Sequence, residues 1–300
     1  MNYQMFLETL QQEVKRQIDA GGIVRINHMI KNNNTKKDSI TILYAGENVS
    51  PAIHLDYFYE QYQQKVSMEE IVKQLLECYK RAKKTGRFDP DFYLNFEAIR
   101  KKIFCRIINF EKNQESLEKM PHRRFLDLAV VYYCEVEDDM FGKGMVLIQK
   151  DHLQVWEIEE EELHALAVEN TFYDIPYELK EVSELVQEIS GSELEILPET
   201  YVPMYVLTNI RKYFGAVNLY FPEILEKIAE KLQADFYVLP SSIHECMIVP
   251  VVEENHMRGA DYQEMVEEIN ANFVDCEEVL SDSVYRYYRS RQELCIVARA

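Results

Sequence analysis

Apolar residues recur at helical spacing and in short alternating runs along the first third of the chain. Helical periodicity predicts helices over residues 3–20 and 55–64, and the runs at 23–30 and 39–44 predict two strands. A further helix is predicted to begin after Ser67, because SMEE at this point has the serine and the later glutamate of a capping box. The pattern therefore indicates a small sheet with flanking amphipathic helices.

The middle of the chain contains one long apolar segment, PHRRFLDLAVVYYCEV, at residues 121–136. Apolar residues fall on both of its faces, which predicts a single central strand. Asp127 then places a carboxylate in an apolar row, and a buried charge of this kind needs a partner. Arg123 is the nearest candidate, and a partner from elsewhere in the chain is equally compatible. Residues 103–110 fit either a strand or a short helix.

The second half of the chain alternates between helical and strand patterns. Two apolar runs at 236–239 and 246–252 flank a Pro-Ser-Ser bend and predict an antiparallel hairpin. Sequential strand pairs with interspersed helices favour an α+β fold with mainly antiparallel sheets over a doubly wound parallel fold. The remaining predicted helices cover residues 157–170, 176–190, 222–232 and 262–272, and the remaining predicted strands cover residues 145–149, 204–208, 215–220, 284–288 and 294–297.

Charge is unevenly distributed along the chain. Residues 1–125 carry 21 Lys and Arg against 16 Asp and Glu, whereas residues 126–300 carry 12 against 36, and the net charge is −19. We therefore predict a slightly basic region 1–120 and an acidic region 121–300, which can also pack as one unit. The acidic region should repel nucleic acid and anionic membranes, so neither is an expected partner. It allows a basic protein as partner, or mimicry of nucleic acid.

Cysteine usage and apolar run lengths bear on the location of the protein. The six cysteines are scattered and form no C-x-x-C pair, which predicts reduced thiols of a cytoplasmic protein rather than a disulfide framework or a zinc site. No apolar run reaches membrane-spanning length, and the first residues lack the features of a signal peptide. We therefore expect no membrane association. We also expect no cofactor and no metal.

Three polar clusters are candidates for chemistry. The PSSIHE bend (residues 240–245) has the residue types of a hydrolase, but its serines can instead cap a turn. The PHRRF segment (residues 121–125) carries arginines that can clamp a carboxylate or phosphate, or pair with Asp127. The third cluster follows a strand at Asn209 and also fits a turn. The candidate ligand-binding residues are His122, Arg123, Arg124, Asp127, Asn209, Ser241, Ser242, His244 and Glu245.

Basic residues also cluster at 80–87 and at 100–106, where the last of them is Arg106. A phosphate-binding face is one interpretation. The chain contains no glycine-rich phosphate loop and no nucleic-acid motif, so we prefer solvated helix ends, where cations suit the helix dipole.

Four segments together resemble a known family: PHRRFLDLAVVYY, AVENT at 167–171, YVLTN at 205–209 followed by GA at 215–216, and ADFYVLPSSIHE. They are similar to uncharacterised proteins found mostly in anaerobic gut Firmicutes and catalogued as a domain of unknown function. The likeness covers nearly the whole chain in the same order. It implies a bacterial cytosolic protein, and it implies no activity, cofactor or catalytic residue.

These observations leave three hypotheses of different classes. The first is a non-enzymatic protein-interaction or regulatory module that acts through its acidic part. The second is a small-ligand-binding protein or hydrolase-like enzyme, which requires the PHRRF segment and the PSSIHE bend to converge on one pocket. The third is an acidic nucleic-acid mimic, which requires a contiguous exposed stripe of acids.

Overall fold

The computed structural model describes residues 2–83, 91–138, 142–190, 202–240, 242–252 and 257–297. Within these residues, eleven α-helices and thirteen β-strands confirm the predicted α+β class. The helices are α1 (Tyr3–Gln17), α2 (Asp56–Gln63), α3 (Met68–Ala82), α4 (Asp91–Leu94), α5 (Phe96–Ile99), α6 (Gln114–Leu117), α7 (Lys150–Trp156), α8 (Glu160–Asp174), α9 (Val182–Ser190), α10 (Pro222–Leu232) and α11 (Gly259–Asn272). The strands are β1 (Ile23–Ile30), β2 (Lys36–Leu43), β3 (Ile53–His54), β4 (Ile103–Asn109), β5 (His122–Phe125), β6 (Leu128–Asp138), β7 (Gly142–Leu147), β8 (Tyr177–Glu181), β9 (Tyr205–Asn209), β10 (Phe236–Leu239), β11 (Cys246–Pro250), β12 (Tyr285–Tyr288) and β13 (Glu293–Ile296).

The chain divides into two compact units. The first comprises Met1–Leu94 and Val136–Gly144, and the second comprises Asn95–Glu135 and Met145–Ala300. The boundary predicted from charge, between residues 120 and 121, lies inside the second unit, where β4 pairs with β6.

The first unit is built on the antiparallel sheet β1-β2-β3. Helices α1 and α3 contribute to its core, in which Phe6, Ile40 and Ile71 are almost completely buried in one cluster. Burying each such side chain contributes about 2 kcal/mol. As predicted, Ser67 caps α3: its Oγ accepts a hydrogen bond from the backbone N–H of Glu70 at 3.2 Å.

The second unit contains two antiparallel sheets. The larger has the strand order β13-β12-β10-β11-β9-β8, and the smaller has the order β4-β6-β5, with β7 also paired to β6. The hairpin predicted over residues 236–252 is confirmed, since Phe236 lies opposite Pro250 and Leu239 lies opposite Met247. Strands β10 and β11 occupy the middle of the larger sheet, where both faces are covered, and this explains their uninterrupted apolar sequence.

The single strand predicted through residues 121–136 is wrong. The chain instead reverses at Leu126 and Asp127, so that β5 and β6 form an antiparallel hairpin with Phe125 opposite Leu128. Leu126 has a φ of 57°. This left-handed conformation is rare for an apolar residue, and the sequence lacks the asparagine or glycine that usually marks such a turn.

Two further predictions in the second unit are corrected. Residues 176–190 are not a single helix, because the strand β8 precedes α9 and pairs with β9 at the edge of the larger sheet. Residues 215–220 form a 3₁₀ helix rather than a strand. The buried Asn218 side chain stabilises it by donating hydrogen bonds to the carbonyl oxygens of Thr208 at 2.9 Å and Gly215 at 2.8 Å. Residues 103–110, which fitted either element, form the strand β4.

All six cysteines are free thiols. Burial raises the pKa of Cys105 to about 12, so this thiol stays protonated at neutral pH. Throughout the described ranges, no helix combines the length and the apolar character that a membrane crossing needs.

Candidate functional site

Asp127 lies in the turn between β5 and β6, and its partners come from a distant part of the chain. Its Oδ2 accepts a hydrogen bond from Ser281 Oγ at 2.5 Å, and its Oδ1 accepts one from the Tyr285 hydroxyl at 2.6 Å. Tyr285 is completely buried. Of the two partners considered from sequence, Arg123 is therefore not the one used. The carboxylate instead anchors the β5–β6 turn to the segment that leads into β12.

The basic residues of the PHRRF segment are also engaged. Arg123 donates a hydrogen bond to Glu161 at 3.1 Å, and the guanidinium of Arg124 lies 4.4 Å from the centre of the Phe110 ring. His122 Nδ1 donates to the Met120 carbonyl oxygen at 3.0 Å. These contacts hold the strand to its neighbours.

The PSSIHE bend shows a similar pattern. The Nδ1 atom of His244 accepts a hydrogen bond from the backbone N–H of Phe214 at 3.2 Å, and Nε2 lies 3.5 Å from Glu278 Oε1. Ser242 Oγ accepts a hydrogen bond from the backbone N–H of His244 at 3.0 Å. Ser242 thus bonds to the backbone of His244 and not to its imidazole, which is the arrangement of a capped turn. Glu245 is exposed, and Ser241 lies outside the described residues.

Asn209 organises the turn that follows β9. Its Oδ1 accepts a hydrogen bond from the Arg211 N–H at 2.9 Å, and its Nδ2 donates one to the Tyr213 carbonyl oxygen at 2.9 Å. The turn leads to Phe214, which contacts His244, so the structure brings Asn209 and His244 to the same corner of the second unit.

The PHRRF segment and the PSSIHE bend converge through one shared segment, residues 278–285. The Ile243 N–H donates to the Glu278 carbonyl oxygen at 2.8 Å, and the Ser281 N–H donates to the Pro240 carbonyl oxygen at 3.2 Å. Ser281 also holds Asp127. The first two contacts are hydrogen bonds between backbone groups, and the third joins two side chains, so all three hold neighbouring segments of the fold together.

The second unit contains a cavity of about 660 Å³, formed by residues of α8, α10, the 3₁₀ helix and the end of β5. None of the described candidate residues lines it, although Phe125 of the PHRRF segment does. The exposed carboxylates Glu169 and Glu223 also line it. Across the described part of the chain, neither of these two carboxylates forms a salt bridge.

Five aromatic rings form a continuous wall of this cavity, which we call the aromatic cavity. The centre of the Phe125 ring lies 5.2 Å from that of Tyr220, which in turn lies 6.2 Å from that of Phe221. Phe172 continues the wall at 5.3 Å from Phe221, and Tyr173 follows at 5.1 Å from Phe172. Tyr173 is 71% exposed, so the wall extends from the interior to the surface.

His164 lines the aromatic cavity between two tyrosines. Its Nδ1 lies 2.8 Å from the Tyr132 hydroxyl, and its Nε2 lies 3.2 Å from the Tyr220 hydroxyl. Tyr132 is fully buried, and within the described residues His164 is the one hydrogen-bond partner of its hydroxyl. A buried hydroxyl proton needs an acceptor, so Tyr132 donates to Nδ1 and Nε2–H donates to Tyr220. The proton of the Tyr220 hydroxyl is then left for an acceptor in the cavity.

The charge state of His164 follows from its surroundings. Burial lowers the pKa of His164, and Arg123 lowers it further, whereas Glu161 raises it. The imidazole is therefore neutral at pH 7, as the hydrogen bonds to the two tyrosines require.

We predict that His164 makes the stability of the protein depend on pH. The pKa of His164 in the folded protein lies below the ordinary histidine value of 6.5, so the unfolded chain binds the proton first as the pH falls. The stability contribution is therefore complete above about pH 6.5 and decreases as the pH falls towards the folded pKa. Urea midpoints measured from pH 7.5 to 5 should fall less steeply for His164→Gln than for the wild type.

His152→Gln is a second test of the same effect, because burial also lowers the pKa of His152 and the urea midpoint of this variant should likewise fall less steeply. The double variant should lose the two contributions additively if the two groups titrate independently. An unchanged slope in His164→Gln would contradict the assignment.

The first unit contains a second cavity, of about 460 Å³, lined by Tyr44, Tyr79 and Lys83 among others. Lys83 Nζ lies 4.3 Å from the centre of the Tyr44 ring and 3.0 Å from Glu47 Oε1. Its ammonium group is thus already paired with a carboxylate. The two cavities differ in this respect, since no lysine or arginine is among the described residues that line the aromatic cavity.

The profile of the family of unknown function DUF5688 matches residues 3–289. The chain belongs to this family. No curated protein and no solved structure matches the chain. The DUF5688 match extends from α1 to β12, so it covers most of both units and includes the PHRRF segment, the PSSIHE bend and every residue of the aromatic cavity. Over the ranges that the structure describes, no three His, Cys, Asp or Glu residues are grouped as metal ligands would be.

The residues of the aromatic cavity are not among the candidate site residues predicted from the sequence. The available signal was in α8, where Leu163, Ala167 and Thr171 form the buried stripe at a spacing of four residues. Phe172 and Tyr173 follow this stripe but lie outside it. Two adjacent aromatic residues beyond the buried face of a helix indicate a second apolar surface.

Proposed function

We propose that this protein is a protein-interaction module that binds a basic segment of a partner protein, and that the aromatic cavity takes a lysine or arginine side chain of that segment. The observation that carries the proposal is a wall of five aromatic rings beside the carboxylates Glu169 and Glu223. A cation over an aromatic face gains about 0.5–2 kcal/mol, depending on how far it is desolvated. Carboxylates near the rings add attraction for the same charge.

The charge of the chain supports a basic partner. Residues 126–300 carry 36 acidic against 12 basic residues. Three of these acidic residues, Glu160, Glu161 and Glu162, lie in the first turn of α8, the helix that also carries Glu169. Such a surface attracts a basic segment over a longer range and raises the rate of association. The Tyr220 hydroxyl proton can be donated to a backbone carbonyl of the bound segment, which a peptide supplies at every residue.

The geometry favours binding over catalysis at this cavity. Both ring nitrogens of His164 are hydrogen-bonded to tyrosines, so the imidazole is not placed to take a proton from a substrate. The PSSIHE bend supports the same preference, because Ser242 contacts the main chain of His244 rather than its ring.

The test uses short fluorescein-labelled peptides rich in lysine or arginine, and matched peptides with glutamate in their place. Fluorescence anisotropy should show binding of the basic peptides only. The variant Phe172→Ala removes a central ring of the wall, and we expect it to weaken binding about tenfold, equivalent to about 1.4 kcal/mol. The variant Glu169→Gln should weaken it less and reduce its dependence on salt.

The control is Phe273→Ala, which removes an aromatic ring that is 81% exposed and outside the cavity. It should leave peptide affinity unchanged. Equal affinity of wild type and Phe172→Ala, or a preference for the acidic peptides, would refute the proposal. If free arginine amide bound as tightly as the peptides, the small-ligand alternative would replace it.

We also propose a cytoplasmic location. The six free thiols support it, since free cysteines are typical of a reducing compartment.

A further inference from the structure

Arg106 on β4 differs from the other basic residues of its cluster. The structure places it on a strand rather than at a helix end, with its guanidinium carbon 4.5 Å from the centre of the Phe214 ring. The residue is half-buried, and its Nε atom is sealed from solvent without a hydrogen-bond partner. Among the described residues, no carboxylate lies within ion-pair distance of Arg106, although Arg100, Arg123 and Arg211 all have one.

A partly buried cation without a counter-ion is unfavourable for the folded state. Burial lowers the pKa of Arg106, and the phenols of Tyr213 and Tyr133 act weakly in the opposite direction. An arginine remains protonated even so, because its intrinsic pKa is very high. Within the described residues, the partly buried guanidinium of Arg106 therefore keeps a positive charge that no side chain neutralises.

Phe214, which faces this cation, is held in an unfavourable backbone conformation. Its φ and ψ are 55° and 26°, in the left-handed region. The hydrogen bond from its N–H to His244 Nδ1 helps to fix it there, at 3.2 Å. Residues held in such sparsely populated backbone conformations cluster at active sites and ligand-binding sites. His244 thus acts as a positioning residue for the ring over Arg106.

We propose that Arg106 anchors a binding site for the carboxylate group of an organic ligand. The guanidinium offers a planar fork of N–H donors that matches two carboxylate oxygens. A carboxylate monoanion balances the charge of one guanidinium, whereas a phosphate dianion would leave an excess negative charge at the site, in a chain whose net charge is already −19. The guanidinium lies over Phe214, and the centre of the Phe214 ring is 5.4 Å from that of Tyr133 and 3.9 Å from that of Tyr213. This aromatic cluster favours an acid with an apolar body.

This site is separate from the aromatic cavity. It would bind an anion rather than a cation, and none of Arg106, Phe214 and His244 lines that cavity. The probe is sodium benzoate, titrated against the full chain by ligand-observed NMR at constant chloride concentration. Sodium acetate and sodium phosphate are titrated in parallel. Benzoate should bind saturably and more tightly than acetate, and phosphate should bind more weakly than benzoate.

The chain offers a closely matched control. Arg124 also stacks on an aromatic ring, at 4.4 Å from Phe110, but it has Glu111 at 3.9 Å. Arg106 lies opposite Val131 and Arg124 lies opposite Ala129, so both point to the same face of the smaller sheet. We expect Arg106→Gln to weaken benzoate binding at least tenfold and Arg124→Gln to leave it unchanged.

Stability without ligand gives a second readout. A purely structural arginine would leave the protein less stable when replaced, whereas Arg106→Gln should be at least as stable as the wild type, because it removes an uncompensated charge. If this variant does not fold, Arg106→Lys keeps the charge, loses the planar fork, and should still bind benzoate severalfold more weakly. Absence of saturable benzoate binding to the wild type, tighter binding of phosphate, or equal losses in the Arg106 and Arg124 variants would overturn the proposal.

Discussion

Replacement of Asp127 by alanine is expected to lower the free energy of unfolding by about 3 kcal/mol. The carboxylate accepts hydrogen bonds from Ser281 at 2.5 Å and from Tyr285 at 2.6 Å, and Tyr285 is completely buried. The variant loses two hydrogen bonds to a charged group and leaves a buried hydroxyl without an acceptor. The turn between β5 and β6 also loses its attachment to β12.

Urea denaturation of the Asp127→Ala variant measures this effect. Tyr285→Phe removes one of the two hydrogen bonds without leaving a buried proton unpaired, and it should cost about 1.5 kcal/mol. The control is Glu245→Ala in the PSSIHE bend, because that carboxylate is exposed and should contribute less than about 0.5 kcal/mol. If Asp127→Ala and Glu245→Ala were equally stable, the carboxylate of Asp127 would not be the anchor described.

The elements that sequence analysis predicted correctly are those whose signal is local. The cap of α3 depends on Ser67 and a backbone N–H three residues later, so the motif alone is sufficient. The hairpin of β10 and β11 is predictable because both strands are buried on both faces. Burial on both faces requires uninterrupted apolar runs, and these stand on either side of a proline bend. Local signals of this kind need no knowledge of the rest of the chain.

The predictions that failed depend on distant contacts. Residues 176–181 become a strand because β9 supplies a pairing partner, although the pattern fitted a helix. Residues 215–220 curl into a 3₁₀ helix because the Asn218 amide bonds back to Thr208. Tertiary contacts override weak local preferences at such positions.

The candidate site illustrates the same limit. Asp127 and His244 are candidates in the sequence because they are ionisable residues within apolar segments, and in the structure both form hydrogen bonds to neighbouring segments of the fold. The aromatic cavity is assembled from Phe125, Phe172 and Tyr220, which are distant in sequence and ordinary in type. Convergence of this kind becomes visible only when β5, α8 and the 3₁₀ helix are placed together.

Gly215→Ala is expected to destabilise the second unit by about 3 kcal/mol, at the upper end of the usual cost of overpacking. A Cβ atom at this position would lie 2.6 Å from the His244 carbonyl oxygen, 2.7 Å from the Asn209 backbone nitrogen, and in close contact with Thr208 Oγ1. Two of these three atoms belong to the backbone, so they cannot move aside by a change of rotamer. The start of the 3₁₀ helix would have to separate from the PSSIHE bend.

Gly144→Ala provides the control, because neither glycine has a positive φ and Gly144, on an exposed strand position, has space for a Cβ atom. The nearest atom to a Cβ at Gly144 is a methyl carbon of Val136 at 3.3 Å, which can adjust at small cost. Thermal unfolding should therefore show a marked loss for Gly215→Ala and a change of at most about 0.5 kcal/mol for Gly144→Ala. The benzoate affinity of Gly215→Ala should also fall, because displacement of the His244 backbone would release Phe214 from its position over Arg106. A stable Gly215→Ala variant with unchanged Phe214 contacts would show that the close approach of the two main chains is not required.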